Sequence, residues 1–330
     1  MSEFNYNWTL KDADFKKDRG AVFSCFSCGG GSTMGYKLAG FDVIGCNEID
    51  PKMMEAYKVN HNPKFSYLES IETFKNRDDL PGELYNLDIL DGSPPCSSFS
   101  MAGNREKDWG KKKKFREGQE EQVLDNLFFD FIDLAKKLQP KVVVAENVKG
   151  LLQGNAFEYV QKIHREFEAA GYYCQHWLLD ASKMGVPQKR ERVFFVCLRK
   201  DLADPFLYQK DMFSKVPMLD LNFNGKEIQF KDVIDRSDKK CSLAPLDADL
   251  WEKRAYGDAD LCDVSIRDRG VTSRFNAKFL YQNKVSNTIT SSDQCVLYDI
   301  KRHRNKNELL KCGSYPADYD FNGNKAQYLI

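Results

Sequence analysis

The chain has 330 residues, 42% of them hydrophobic and 30% charged, with a formal net charge of zero and a pI near 6.9. That length allows one large α/β domain with a smaller appendage, and the charge balance excludes a global pull toward nucleic acid or membrane, so any polyanion site must be a local patch. No apolar run is long enough to span a bilayer, and Met1-Ser2-Glu3-Phe4-Asn5 lacks the regions of a signal peptide, so a cytoplasmic location is expected.

Ala21 to Phe26 reads as a strand, followed by the turn Cys28-Gly29-Gly30-Gly31 and a helix through Leu38. Phe41 to Cys46 is a second strand ending at Asn47-Glu48, and Pro51, a good first helical position, opens a helix to Val59. Leu87 to Leu90 is another strand. Val123 to Leu138 has the apolar spacing of an amphipathic helix. Lys141 to Ala145 is a β-branched run suited to a strand buried on both faces. A helix from Phe157 to Ala170 and strands at Tyr172 to Leu179 and Arg192 to Leu198 follow. Strands alternating with helices predict a doubly wound, mostly parallel sheet. After Lys200 the rhythm is lost, and residues 201–284 read as a smaller unit of irregular and β structure. There, Arg267, Arg269, Arg274, Lys278 and Lys284 stand against one acid, Asp268, with Phe275, Phe279 and Tyr281 interleaved. That mixture suits phosphate contacts and base stacking; a solvated charged face accounts for it equally well.

Ten cysteines in a chain without secretion signals read as reduced thiols. Cys25 and Cys28 form a lone CxxC, and His61, His164, His176 and His303 are scattered. No metal site is expected.

The chemistry-bearing residues fall at predicted strand ends, where ligands of α/β sheets gather. The glycine turn after the first strand lets the backbone approach a ligand and offers helix N–H groups. Glu48, ending the second strand, is placed to accept hydrogen bonds from a ribose diol. Cys96 lies in Gly92-Ser93-Pro94-Pro95-Cys96-Ser97-Ser98-Phe99-Ser100, on a loop that two prolines stiffen. It is placed like a nucleophile, the plain alternative being a half-buried thiol in a turn. The buried run before residue 146 ends in Glu146-Asn147-Val148, and Gln188-Lys189-Arg190-Glu191-Arg192 opens a later strand, with Arg190 and Arg192 on one face. A thiol, a carboxylate and an arginine in one crevice make a covalent-catalysis site for a planar, weakly electrophilic ring.

These motifs, in this order, resemble those of the cytosine-5 methyltransferases that use S-adenosylmethionine, over residues 21–200 and again from about 285. Phe26 through Gly31, with Gly35 and Gly40-Phe41, is similar to the family's cofactor loop, and Glu48 to its ribose-binding acid. The Pro-Pro-Cys96 loop resembles the nucleophile motif, Glu146-Asn147-Val148 the catalytic Glu-Asn-Val, and Gln188-x-Arg190-x-Arg192 the Gln-x-Arg-x-Arg element. The resemblance implies a Rossmann-like methyltransferase domain over 1–200, a target-recognition domain over 201–284 and a return segment over 285–330. It implies cofactor contacts at Phe26, Ser27, Gly29, Gly30, Gly31, Glu48, Ile49, Ser70, Ile71, Pro94 and Leu127. Ser97, Asn147, Gln188, Arg267, Arg269 and Arg274 would touch the double-stranded DNA. Cys96 would add to C6 of a flipped-out cytosine, Glu146 would hold N3 and the amino group, and Arg192 would bind O2 and offset charge, with Arg190 of the same element counted among the catalytic residues. Residues 97–118 resemble a loop that closes over substrate.

Several positions depart from the family pattern. Ser24 stands where the cofactor loop usually opens with Asp, Cys28 replaces its first Gly, Ser97 replaces a Gln, and Ser70 replaces the adenine-binding Asp before Ile71. Ser286 to Thr290 and Tyr315 to Tyr319 resemble the segments after the recognition region, and the sequence stops at Tyr328-Leu329-Ile330, where a Gly-Asn-x-Val motif would begin. The expectation is weak cofactor binding unless a partner peptide supplies that motif. Alternative readings are the tRNA-methylating branch, whose Cys-Phe-Thr motif is not found here, and a DNA-binding chain without turnover.

Overall fold

The computed structural model describes residues 4–95, 126–153, 156–211, 215–217, 219–236 and 242–326. The chain divides into two compact units, one formed by Asp14–Leu179 and Glu191–Asn222, the other by Met1–Ala13, Asp180–Arg190 and Phe223–Ile330.

The first unit is built on a seven-stranded sheet: β1 (Ala21–Cys25), β2 (Asp42–Glu48), β3 (Phe65–Leu68), β4 (Ile89–Gly92), β5 (Val142–Val148), β6 (Tyr172–Asp180) and β7 (Glu191–Arg199). Their order is β3-β2-β1-β4-β5-β7-β6. The pairs from β3 through β5 are parallel, and β7 runs antiparallel to β5. The expected alternation is present, with one reversed strand. The link from β6 to β7 holds no helix of crossover length, and a parallel return needs one. The chain steps outward from β1 in both directions, to β2 on one side and β4 on the other. That switch point is where α/β sheets leave a crevice at their carboxyl edge.

One face of the sheet carries the main core. Phe23, Leu90, Val143 and Phe195 are fully buried there with Phe131 and Leu134 of α4 (Leu127–Leu138) and Ile163 and Phe167 of α5 (Ala156–Ala169). On the other face Cys46 packs with Met54 and Tyr57 of α2 (Pro51–His61), and Tyr57 Oη lies 2.8 Å from Thr33 Oγ1 of α1 (Gly31–Leu38). Pro51 does open α2, and Asp50 caps it by accepting from Lys52 N and Met53 N.

β2 ends at Glu48, as expected. β5 runs further than the apolar pattern predicts, to Val148, so Glu146 lies inside its strand rather than after it. The β5–β7 ladder, which extends to Val148 opposite Arg192, holds this polar stretch extended. In the stretch expected as a helix over 123–138, α4 begins at Leu127; residues 123–125 lie outside the described ones.

The second unit contains α6 (Pro245–Glu252), α7 (Leu261–Arg269) and α8 (Lys306–Cys312), with a short parallel pair, β10 (Phe279–Leu280) and β11 (Val296–Leu297). The hairpin β8 (Leu207–Gln209) with β9 (Lys215–Pro217) belongs to the first unit. Residues 201–284 are thus more helical than the sequence pattern predicts. α6 and α7 are short and aspartate-rich, so local capping defines them more than apolar period: Asp260 accepts from Cys262 N and Asp263 N, and Gly270, at φ 67°, ends α7. Leu250, Trp251, Leu261, Val264, Phe279, Tyr281 and Val296 form this unit's core.

Candidate active site

The loop after β1 is wound tightly. Phe26 and Cys28, both with side chains, take positive φ values of 52° and 44°, and Gly30 sits at φ 80°. Left-handed backbone at residues with a Cβ costs about 1–3 kcal/mol each and clusters at ligand sites. Gly30 is also sterically fixed, since a Cβ there would lie 2.3 Å from His61 Nε2.

Glu48, buried at the end of β2, holds this loop. Its Oε2 accepts from Cys28 N at 2.8 Å, and its Oε1 accepts from Ile49 N and Asp50 N at 2.9 Å. Burial pushes its carboxyl above the usual range against the pull of these amides. A carboxylate offers about four acceptor sites, so one remains for a diol. Ser27 is buried and its N–H donates to Asn47 O at 3.3 Å. Ser70 caps α3 (Ile71–Phe74) by accepting from Thr73 N at 3.1 Å. Ile71 and Leu127 are both buried in the main core, while Ile49 is half-buried.

The loop after β4 is tied to its neighbours on two sides. Ser93 Oγ donates to Phe26 O at 3.3 Å, and Asn147 Nδ2 donates to the carbonyl of buried Pro94 at 3.1 Å. Gly92 has no room for a side chain, because a Cβ would meet the Phe131 ring at 2.6 Å. Asn147, expected at the substrate, therefore positions the entry to the Pro-Pro segment. Cys96 and Ser97 lie outside the described residues. Nearby, Arg192 Nε pairs with Glu146 Oε1 at 2.8 Å, both side chains remaining partly exposed. The sheet register explains the meeting: Arg192 stands opposite Val148, two residues along the same face from Glu146. Lys149 and Glu191 pair beside them at 2.9 Å.

Asp91, a buried carboxylate on β4, joins the site although no motif in the sequence marks it. Its Oδ2 accepts from Ser24 Oγ at 2.8 Å and Ser32 Oγ at 2.7 Å, and its Oδ1 from Tyr36 Oη at 3.3 Å. Burial pushes its carboxyl up to about 6. The only signal in the sequence was an acid inside an otherwise apolar strand.

The remaining predicted residues belong to the second unit. Gln188 is buried, its Nε2 donating to Cys312 O at 3.2 Å and its Oε1 accepting from Ile289 N at 2.9 Å. Arg190 precedes β7 rather than opening it, with its N–H on Asp180 Oδ1 and its carbonyl on Ala181 N. Arg267 pairs with Asp258 at 2.7 Å, Arg269 with Asp249 at 2.5 Å, and Arg274 with Asp247 at 2.6 Å. The acids missing from the local stretch thus arrive from elsewhere in the chain. Phe279 and Tyr281 are buried in this unit's core and only Phe275 of the three aromatics is exposed, at 64%. Among the described residues no group of three His, Cys, Asp or Glu could hold a metal ion, and no helix is long and apolar enough to cross a membrane.

A mostly parallel sheet with helices laid on its faces and a crevice at its carboxyl edge defines a Rossmann-like fold of the methyltransferase kind. Residues 20–328 match the C-5 cytosine-specific DNA methylase family, and the chain belongs to that family. It is 39% identical over 181 residues to the Type II methyltransferase M.FnuDI of Fusobacterium nucleatum, covering 55% of this chain and 47% of that one. It is 34% identical over 189 residues to M.NgoPII of Neisseria gonorrhoeae, covering 57% and 51%. The chain therefore spans about half the length of these relatives. The fold is shared with the S. pombe Dnmt2 methyltransferase, at 15% identity and TM-score 0.56 over 94% of this chain and 92% of that one. It is also shared with a DNA modification methyltransferase structure from an E. coli prophage, at 19% identity and TM-score 0.63 over 91% and 90%.

Proposed function

We propose that this chain transfers a methyl group from S-adenosylmethionine to C5 of a flipped-out cytosine in a specific duplex DNA sequence, as the modification enzyme of a Type II restriction–modification system. The observation that carries this reading is the Glu146–Arg192 pair at 2.8 Å, on the strand whose Asn147 braces the Pro94-Pro95 entry to Cys96.

The residues fit the cofactor. Glu48 keeps an acceptor site for the ribose diol while its other sites hold the loop amides, and the left-handed turns at Phe26, Cys28 and Gly30 wind the loop that would carry it. When bound, S-adenosylmethionine supplies an electrophilic methyl on a positively charged sulfur. The Cys96 thiolate adds to C6, which places nucleophilic character on C5. Glu146 binds N3 and the exocyclic amino group, and Arg192, already oriented by Glu146, offsets charge at O2. Loss of the C5 proton then expels the thiolate. Arg190 is assigned with Arg192 to catalysis, Ser97, Arg267, Arg269 and Arg274 to DNA contact, and Asn147 and Gln188 to positioning the segments that meet it. The functional division that goes with this reading is a cofactor and catalytic domain over 1–200, target recognition over 201–284 and a return segment over 285–330, acting on DNA in the cytoplasm.

The test is methyl transfer from tritiated cofactor to duplex DNA and to tRNA, followed by bisulfite sequencing of the DNA. It is run on the chain alone and with a peptide carrying the family's Gly-Asn-x-Val motif. Incorporation at C5 of cytosine in one sequence context supports the reading. Incorporation into tRNA alone, or none in any arm, overturns it.

A further inference from the structure

Ser24 on β1 pairs in register with Asp91 on β4, and Asp91 with Val144 on β5. Glu146 stands two residues beyond Val144, so all four point to one face of the sheet. α1 covers Asp91 with Ser32 near its start and Tyr36 one turn later. Asp91 is 7% exposed, and it accepts from three hydroxyls. Among the described residues no lysine, arginine or histidine forms an ion pair with it. Neutral donors solvate a carboxylate without cancelling its charge, and an uncompensated buried charge is costly unless something else uses it.

The placement of the three hydroxyls is informative. Ser24 lies just before the strained loop of residues 26–30, whereas Ser32 and Tyr36 lie just after it. One carboxylate thus ties both ends of that loop together. Two residues further along, Ser93 binds the loop carbonyl of Phe26.

We propose that ionised Asp91 is a positioning residue of the cofactor site, clamping both ends of the glycine loop and supplying the buried negative charge that a cationic cofactor requires. The proposal rests on the reading that this loop takes S-adenosylmethionine, whose sulfonium is positive. Ser24, standing where the family pattern has Asp, fits this arrangement, because the acid is carried by the neighbouring strand and reaches the same loop through the serine hydroxyl.

The titratable groups close enough to Asp91 to feel its charge are Tyr36 on α1, Tyr57 on α2 and Glu146 on β5, with Cys25 of β1 behind it on the opposite face of the sheet. Cys25, Tyr36 and Tyr57 are all pushed upward by burial and stay neutral below pH 8. Glu146 is paired with Arg192. Asp91, pushed up to about 6, is the one placed to take up a proton just below neutrality.

The test is calorimetric binding of S-adenosylmethionine and S-adenosylhomocysteine to the full chain between pH 5 and pH 8. Wild-type affinity for S-adenosylmethionine is expected to fall about tenfold from pH 7 to pH 5. Asp91→Asn is expected to bind weakly at pH 7.5, to show a shallower pH dependence than wild type, with only Glu48 left to titrate in the site, and to lose more affinity for S-adenosylmethionine than for the homocysteine product, whose sulfur is neutral. Ser32→Ala removes a donor that favours the ionised form, so its binding midpoint moves to higher pH. Folded Asp91→Asn with wild-type affinity and pH profile overturns the proposal. Should Asp91→Asn not fold by circular dichroism, an unmoved midpoint in Ser32→Ala overturns it instead. A wild-type chain with a flat profile overturns this inference alone, whereas one that binds neither ligand overturns the proposed function as well.

Discussion

The two units meet their most deeply buried acids in different ways. In the sheet unit the strand-end acids Glu48 and Asp91 meet backbone amides and hydroxyls. In the second unit the arginines meet acids: Arg302 with Glu308, Arg304 with Asp293, Arg274 with Asp247, Arg267 with Asp258. Pairing neutralises charge where the purpose is shape. A charge that is solvated but not cancelled is available to a ligand, at a cost in stability. The difference between the units is therefore a difference between scaffold and site, and it can be broken by experiment.

The largest expected effect tests whether the chemistry resides in the sheet unit at all. Cys96→Ser should lower methyl transfer by at least about 10³-fold, as loss of a nucleophile does, while calorimetric cofactor affinity is unchanged. A loss of both would place Cys96 in the cofactor pocket rather than at the base.

Next comes the scaffold side. Arg302 and Glu308 are both buried, and Glu308 also accepts from Asn305 N at the start of α8 and from Asp235 N. Arg302→Ala leaves that carboxylate buried without its cation, and urea unfolding should show a loss of about 3–5 kcal/mol. A loss below about 1 kcal/mol would mean that the pairing in this unit is ornamental.

Asp91 gives the opposite sign. Its folded-state pKa is raised from 3.8 to about 6, so the folded chain holds the proton more tightly than the unfolded one. Stability from this group is fully present below about pH 4 and is lost as pH rises through about 6, a swing on the order of 3 kcal/mol. Asp91→Asn should remove that swing, leaving the variant no less stable than wild type at pH 7.5 although it binds cofactor worse. Parallel stability–pH curves for the two proteins would sink this account.

The smallest effect is expected at Arg267. A free phosphate contact contributes about one to the salt slope of DNA binding, but Asp258 already holds this guanidinium at 2.7 Å. Arg267→Ala should change the slope by less than that in filter-binding titrations. A full drop of one would show that DNA displaces Asp258, and that the second unit also reserves charge for a ligand.

Much of the site was legible in the sequence because its residues sit at strand ends, and strand ends are marked by where apolar runs stop. Glu48 stands at such an end and Glu146 is the first acid after an apolar run, although its strand continues to Val148, and the family resemblance of the surrounding motifs follows from their order. Asp91 was not legible, because its importance comes from Ser24, Ser32 and Tyr36, which a local reading treats as ordinary polar positions. The partners of the arginine stretch were hidden for the same reason. Its acids lie at 247, 249 and 258, and Phe279 and Tyr281 face a core that only the folded unit defines.

By itself the sequence determined the alternating architecture, the family and the identity of the strand-end acid and the carboxylate–arginine pair, since these depend on periodicity and on motif order along the chain. Tertiary structure alone decided which charges are cancelled and which are kept. That outcome depends on register between strands and on helices laid across them, so the Asp91 clamp arises where β1, β4 and α1 meet.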